Sequence, residues 1–141
     1  MRTGIFRTAG FIASVFAVSL ASAASARTIY ECQIEDRGTN RGWLPAVVIV
    51  SVDPGSETAT VADPMIEYVH GGPIDIKPTT NSDARISLSW KLALPATDQN
   101  EVTVSYNFTI LKAQKRARIK GSPHGYDNTW SSEGSCKVLK G

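Results

Sequence analysis

Residues 85–110 read RISLSWKLALPATDQNEVTVSYNFTI and carry the clearest structural signal in the chain. Apolar side chains occupy every even position from Ile86 to Leu94, and again from Val102 to Ile110, while the odd positions are mostly polar. Such alternation is typical of antiparallel strands that have one face on a core and the other face in water. The stretch therefore predicts two long strands joined by a polar turn.

Shorter segments on both sides of this pair either alternate in the same way or are rich in β-branched residues. Turn-forming Gly, Pro, Asn and Asp residues separate them, and no sustained helical stripe is present. The additional predicted strands cover residues 28–34, 45–53, 58–62, 74–77, 117–120 and 135–140. The sequence thus predicts an all-β fold of seven or eight strands.

The two cysteines constrain how these strands are arranged. Cys32 lies in the first predicted strand and Cys136 in the last. In an exported protein such a pair predicts a disulfide, which requires the two Cα atoms to lie about 4.4–6.8 Å apart. Because each cysteine shares a face with apolar neighbours, we expect the bridge on the core side of adjacent terminal strands. Terminal strands that meet predict an antiparallel up-and-down barrel of about eight strands, with a β-sandwich as the alternative.

Residues 1–26 predict a secretory signal peptide. Arg2 and Arg7 precede a short apolar run that ends in small residues, and this run is too short for a stable membrane span. We therefore expect residues 27–141 to form a single β-domain that is periplasmic or secreted and has no membrane span. Without the leader, thirteen basic and thirteen acidic residues remain, which argues against a nucleic-acid partner.

A basic stretch, LKAQKRARIKG, occupies residues 111–121 and contains no acidic residue. Its apolar positions change from even to odd numbers, which predicts a four-residue turn near residues 113–116; a short helix over residues 111–120 is the alternative. The cations could bind an anionic surface, or they could only improve solubility and protect a strand edge. The five cations are Lys112, Lys115, Arg116, Arg118 and Lys120.

Residues 63–75, DPMIEYVHGGPID, are predicted to form a structured loop because they contain two prolines and a glycine pair. This loop would present Tyr68 and His70 as candidate binding residues. Glu67 and His70 could share a metal ion with a nearby aspartate, but this set offers too few fixed ligands for a defined site. No metal and no cofactor are therefore predicted.

Residues 122–134, SPHGYDNTWSSEG, are predicted to form a second loop that carries His124, Tyr126 and Trp130. Aromatic residues among Gly and Ser are typical of recognition surfaces, because they give contact area at a small entropic cost. The alternative interpretation is that Tyr126 and Trp130 plug one end of the barrel. The sequence does not decide between these two interpretations.

The functional prediction is a non-catalytic binding module that acts on a protein or envelope component through residues 63–75 and 122–134, with the basic hairpin as an auxiliary contact. No nucleophile elbow, zinc-protease motif or phosphate-binding loop is present, so an enzyme is not expected. A lipocalin-like carrier of a small apolar ligand is the alternative. That alternative requires an open cavity, whereas Trp90, Tyr106 and Phe108 predict a filled interior. The partner and the oligomeric state are not predicted.

The chain resembles a group of small exported bacterial β-proteins of unassigned function. The resemblance rests on a Y-x-C start at Tyr30 and Cys32, on GW-x-P-x-V-V-I from Gly42, on the Asp63–Pro73 segment, and on a Gly125–Cys136 end. This resemblance implies no catalytic or binding residues. The chain is also similar, at the level of fold alone, to the periplasmic lysozyme inhibitors, which are small eight-stranded barrels with a Y-x-C near the start.

Overall fold

The computed structural model of the chain describes Gly4 and residues 26–38, 42–97 and 100–140. The predicted signal peptide lies outside these residues except for Gly4 and Ala26, and it stays a prediction. The described residues form nine strands and one short helix, which confirms the all-β prediction. In chain order the elements are β1 (Thr28–Ile34), β2 (Val47–Val52), β3 (Ala59–Ala62), α1 (Pro64–His70), β4 (Ile74–Ile76), β5 (Thr80–Asn81), β6 (Arg85–Thr97), β7 (Asn100–Leu111), β8 (Arg116–Pro123) and β9 (Trp130–Lys140).

All nine strands belong to one curled antiparallel sheet, in the order β4-β3-β2-β1-β9-β8-β7-β6-β5. The first four strands meander outward in one direction and the last five meander back from the other edge. The first and last strands therefore pair in the middle of the sheet. The described strands do not divide into the two packed sheets that the β-sandwich alternative requires.

The edges of the sheet, β4 and β5, are consecutive in the chain and are joined by residues 77–79. So short a link keeps the two edges within about 14 Å of each other, which forces the sheet to curl. No ladder of hydrogen bonds joins β4 to β5 within the described residues. The observed architecture is accordingly a nine-stranded half-barrel, and the predicted closed barrel of about eight strands is not observed.

The two longest strands, β6 and β7, confirm the alternation of residues 85–110. They pair in register, with Trp90 opposite Tyr106 and Leu88 opposite Phe108, and these side chains point into the core. The outward positions carry polar contacts between the strands, such as the 2.6 Å hydrogen bond that Ser89 Oγ donates to Asn107 Oδ1. The periodicity alone thus determines which face is buried.

Large side chains fill the concave face of the sheet. Tyr106 and Phe108 are each about 1% exposed, and the Trp90 ring lies 5.8 Å from Tyr106 and 6.2 Å from Phe108 between centroids. Burying an aromatic side chain of this size contributes about 2–3 kcal/mol. The indole N–H of Trp90 is buried here without a hydrogen-bond partner among the described residues.

The turn between β7 and β8 explains the change of phase in the basic stretch. Leu111 pairs with Arg116, so the four turn residues are 112–115, one position earlier than predicted. The predicted strand 117–120 is confirmed as part of β8, and the alternative helix over residues 111–120 is wrong. Lys115 adopts a left-handed conformation with φ 51°, which closes the turn.

The predicted disulfide between Cys32 and Cys136 is confirmed. The two residues face each other across β1 and β9 with their Cα atoms 4.0 Å apart, and both are buried on the core side. The Cys136 N–H donates to the Lys115 carbonyl oxygen at 2.8 Å, on the side away from β1. Cys32 and Cys136 therefore form a non-hydrogen-bonded pair, the type of antiparallel pair with the closer Cα atoms.

Helix α1 replaces most of the loop predicted for residues 63–75, and its sequence signals were missed. Asp63 caps the first turn, because its side chain accepts the N–H groups of Met65 and Ile66 at 2.7 Å, and Pro64 occupies the first position. Gly71 ends the helix in a left-handed conformation with φ 73°. Among the described residues no helix is long and apolar enough to cross a membrane.

The loop predicted for residues 122–134 is also shorter than expected. Ser122 and Pro123 complete β8, and Trp130 begins β9 opposite Gly121. The loop proper therefore covers residues 124–129. Residues 131–135 have a polar, turn-rich composition that is typical of a loop, but they form a strand because they pair with neighbouring strands of the sheet.

Removing the disulfide is expected to destabilise the fold strongly. The bridge closes a sequence separation of 104 residues, so replacing both cysteines (Cys32→Ala with Cys136→Ala) should lower the free energy of unfolding by about 4 kcal/mol. Urea unfolding followed by tryptophan fluorescence measures this change. The variant should be insensitive to a reducing agent that destabilises the wild type. A loss below about 1 kcal/mol would show that the bridge does not constrain the unfolded chain.

Two inward-facing glycines offer a matched comparison of crowding. A Cβ at Gly134 would overlap the Gln33 backbone carbonyl on β1, whereas a Cβ at Gly121 would lie 3.2 Å from the Leu44 and Tyr106 side chains. Side chains can move and paired strands cannot, so we expect Gly134→Ala to cost about 3 kcal/mol and Gly121→Ala about 1 kcal/mol. Thermal unfolding of both variants tests this order, and equal losses would contradict it.

Candidate functional site

Two adjoining hollows lie at the end of the sheet where β6 and β8 finish and β7 and β9 begin. The first has a volume of about 280 Å³ and the second about 480 Å³, and both are bordered by Trp43 and Ala96. We call the joined hollows the aromatic cleft. Its remaining described lining residues are Val102, Pro123, Tyr126, Asn128 and Trp130 in the first hollow, and Gly42, Pro64, Met65, Tyr68, Leu94 and Pro95 in the second.

Trp43 is held at the centre of the cleft by two contacts. Its ring stacks on Trp130 with the centroids 4.9 Å apart and the planes 3° from parallel. Its backbone carbonyl accepts a 2.7 Å hydrogen bond from the Tyr106 hydroxyl, which rises from the core. Gly121 lies beneath the stack, where a Cβ would be 3.2 Å from the Tyr106 side chain and 3.5 Å from Trp130. The stacked pair is therefore fixed to the sheet rather than to a mobile loop.

Helix α1 brings Tyr68 and Met65 to the second hollow. Ile66 is fully buried and anchors the helix to the core, while Tyr68 on the opposite side is 74% exposed. The Tyr106 hydroxyl also lies 3.4 Å from the Met65 sulfur, so the same tyrosine contacts both walls of the cleft. The helix thereby presents one aromatic ring to solvent beside the tryptophan stack.

The acid that caps helix α1 and the tyrosine beneath the cleft are both buried. Burial raises the pKa of Asp63, and the two backbone N–H groups that it accepts lower this pKa by a smaller amount. Burial also raises the pKa of Tyr106, with the charge of Asp63 as the second cause. Tyr106 therefore stays protonated at neutral pH and serves as a hydrogen-bond donor to the cleft.

Three of the predicted binding residues come together at the cleft. Tyr68, Tyr126 and Trp130 line it, and Tyr126 is 63% exposed. The two predicted histidines lie elsewhere. His70 is exposed at the end of α1, and His124 Nε2 lies 2.7 Å from Ser105 Oγ near the outer face of the sheet.

The basic hairpin lies at the opposite end of β7 and β8 from the cleft. An eight-residue strand, β8, separates its turn from Pro123, which corresponds to about 25 Å. Lys112 Nζ donates to Asn81 Oδ1 at 3.3 Å, and Lys115 and Lys120 are exposed. The structure therefore does not unite the hairpin with the two predicted binding segments in one surface.

Two of the hairpin cations are paired with acids from distant parts of the chain. Arg116 lies 3.2 Å from Glu35 and 3.6 Å from Glu133, and Arg118 lies 3.4 Å from Glu133. Arg37 joins the same cluster, at 3.6 Å from Glu35 and 3.8 Å from Glu133. Exposed pairs of this kind contribute little to stability, but they reduce the positive field that the sequence indicated.

Groups that could ligate a metal ion are occupied or dispersed. Asp63 caps α1, and Asp75 Oδ1 accepts a 2.9 Å hydrogen bond from Thr60 Oγ1. Within the part of the chain that the structure describes, no three His, Cys, Asp or Glu side chains lie close enough together to hold an ion.

Comparison with protein-family models, with curated proteins and with solved structures finds no match to this chain. The resemblances to exported bacterial β-proteins and to lysozyme inhibitors therefore stay predictions.

Trp43 is the residue of the cleft that sequence reasoning did not single out. It follows Gly42, whose φ of 81° marks a tight turn, and it precedes Leu44 and Pro45, which are both buried. The sequence signal for Trp43 is its position between a turn glycine and a proline, outside any alternating strand. Its partner Trp130 was identified because it lies in a polar, aromatic segment.

Asp63 generates a pH-dependent prediction. An acid whose pKa is raised by folding contributes stability below its unfolded pKa of about 3.9, and this contribution is lost as the pH rises through the folded pKa. Asp63→Asn keeps a capping oxygen without the charge. We expect this variant to match the wild type at low pH and to exceed it at neutral pH in urea unfolding.

The controls for this prediction separate charge from capping. Asp63→Ala removes the cap and should cost about 1 kcal/mol relative to Asp63→Asn at every pH. Asp127→Asn removes one carboxylate at an exposed position and serves as the control for the loss of a negative charge. An Asp63→Asn variant that is less stable than the wild type at neutral pH would show that the capping charge outweighs its burial.

Proposed function

We propose that the protein is an exported, non-catalytic binding module that recognises a protein or envelope component through the aromatic cleft. The observation that carries this proposal is the convergence of exposed Tyr68 and Tyr126 on the Trp43–Trp130 stack. These aromatic residues come from the segment before β2, from α1, from the 124–129 loop and from β9. A fold that needed them only for stability would bury them.

Aromatic side chains of this kind are frequent energetic centres of binding sites. Tyr and Trp offer a large contact area with few rotatable bonds, so ordering them on binding costs little entropy. Tyr68 and Tyr126 are 74% and 63% exposed, which leaves most of both rings available to a ligand. Exposed apolar clusters beside a concave surface typically mark interaction sites.

The two hollows are open, which supports binding of a ligand along the surface rather than inside a closed cavity. They are open to solvent at the mouth of the sheet, and the concave face below them is filled by Trp90, Tyr106 and Phe108. A lipocalin-like carrier requires a cavity in that place. A closed barrel, if β4 and β5 meet in solution, would leave the same side chains inside. The packing of the core thus favours surface binding over transport.

The disulfide supports the proposed export, because such bonds form and persist outside the reducing cytosol. The periplasmic or secreted location remains part of the proposal. It agrees with the predicted signal peptide.

The proposal is tested by retention of envelope components on the immobilised protein. Replacing both exposed tyrosines, as Tyr68→Ala with Tyr126→Ala, should reduce specific retention from a bacterial envelope extract at least tenfold, because residues of this type contribute about 1–2 kcal/mol each at an interface. Quantitative mass spectrometry of the retained material measures this change. Both side chains are largely exposed, so the variant should keep the wild-type melting temperature.

A second variant serves as the matched control. Lys112→Ser with Lys115→Ser also alters two side chains, but in the hairpin turn at the far end of β8 from the cleft. It should retain the same components as the wild type. Equal retention by the tyrosine variant and the wild type would refute a role for the cleft, and loss with the lysine variant alone would transfer the function to the hairpin.

A further inference from the structure

We infer that the aromatic cleft binds an uncharged, proline-rich peptide segment in the polyproline II conformation. This inference rests on the proposed function and specifies its ligand. Three properties of the cleft carry it: the absence of charge from its described lining, the shape of its two hollows, and the indole hydrogen-bond donors that it contains.

The described lining of the cleft contains no Asp, Glu, Lys, Arg or His side chain. The charged residues that the structure describes lie outside this lining, for example in the cluster of Arg37, Arg116 and Glu133. Burying an unpaired charge against an apolar lining is costly, so an ionic ligand would be rejected. The complementary ligand is neutral and largely apolar.

The two hollows suit a regular extended helix. Polyproline II repeats every three residues with a rise of 3.1 Å per residue, so equivalent side chains recur at about 9 Å. Trp43 and Ala96 form the boundary between the hollows, so that successive turns of such a helix can place one apolar residue on each side of it. Grooves between aromatic side chains are the known mode of polyproline recognition.

Two hydrogen-bond donors of the cleft are the indole N–H groups of its tryptophans. Among the described residues, the indole N–H groups of Trp43 and Trp130 have no hydrogen-bond partner, and neither nitrogen is fully buried. Both can therefore donate to a ligand. A polyproline II segment has no internal hydrogen bonds, and proline lacks an N–H, so its backbone offers carbonyl acceptors. Indole N–H groups are donors only and match such carbonyls.

A neutral glycan is the competing ligand, and the cleft suits it less well. Each sugar hydroxyl both donates and accepts, so a glycan site needs several polar side chains with both capacities. Among the described lining residues, only Asn128 and the hydroxyls of Tyr68 and Tyr126 have both capacities, and no carboxylate is present. The flat faces of Trp43 and Trp130 are also partly used, because the two rings stack on each other. The balance of apolar and polar groups therefore favours the peptide.

The three tryptophans provide an internal test by nuclear magnetic resonance. Each indole N–H gives one signal, and Trp43 and Trp130 lie in the cleft while Trp90 is buried in the core. On titration with a synthetic decaproline peptide, the signals of Trp43 and Trp130 should shift and saturate together while that of Trp90 stays fixed. A Gly-Ser peptide of equal length should shift none of them.

Variants relate the binding to the cleft. Tyr126→Ala and Tyr68→Ala should each weaken decaproline binding about tenfold, while Lys115→Ser, in the hairpin turn at the far end of β8, should leave it unchanged. Absence of saturable shifts with decaproline overturns the inference. Saturable shifts with chitohexaose, a neutral glycan, but not with decaproline overturn it in favour of a sugar ligand.

Failure of this inference can be told from failure of the proposed function. If retention of envelope material depends on Tyr68 and Tyr126 but decaproline neither binds nor competes, the cleft is a binding site for another ligand. If retention does not depend on those tyrosines, the proposed function itself fails. Decaproline that competes with cleft-dependent retention supports both.

Discussion

The pairing of β1 with β9, closed by the Cys32–Cys136 bridge, is the constraint on which the rest of the structure depends. It joins the meander of β1–β4 to the meander of β5–β9, so that all nine strands belong to one sheet. Gly134 allows the close approach of β1 and β9 because a side chain there would meet the Gln33 carbonyl. With this junction fixed, the two meanders curl toward each other and enclose one core, which Tyr106 connects to the cleft at its end.

Much of this architecture could be predicted from the sequence, because the period of two in the long strands is strict. The inward positions from Ile86 to Leu94 and from Val102 to Ile110 follow from alternation alone, and the buried cysteine pair follows from its apolar neighbours. The open edges at β4 and β5 could not be predicted, because closure depends on the summed twist and length of strands. Helix α1 was not predicted although Asp63, Pro64 and Gly71 are strong capping signals, because a helix of seven residues has no sustained apolar stripe.

The candidate site was only partly predictable for a different reason. Tyr68, Tyr126 and Trp130 were recognisable as aromatic residues in polar or turn-rich segments, but their meeting point depends on how three separate connections fold over the sheet. Trp43 belongs to no periodic pattern, so only the structure shows that it stacks on Trp130. The pairing of the hairpin residues Arg116 and Arg118 with Glu35 and Glu133 could not be predicted, because these acids are remote in the sequence. Local patterns identify candidate residues, whereas neighbours from distant segments determine what those residues can do.

The central position of the two terminal strands sets the order in which the protein can assemble. The chain emerges from the ribosome, or across a membrane, with its amino terminus first, so β1 is available long before its neighbour β9 exists. Until the last residues emerge, β1 and β8 both present an unpaired edge at what becomes the middle of the sheet. A stalled or truncated chain would therefore expose two adhesive edges rather than an incomplete periphery. The sheet can therefore be completed only when the whole chain is present, and the Cys32–Cys136 bond can form only once β9 is available.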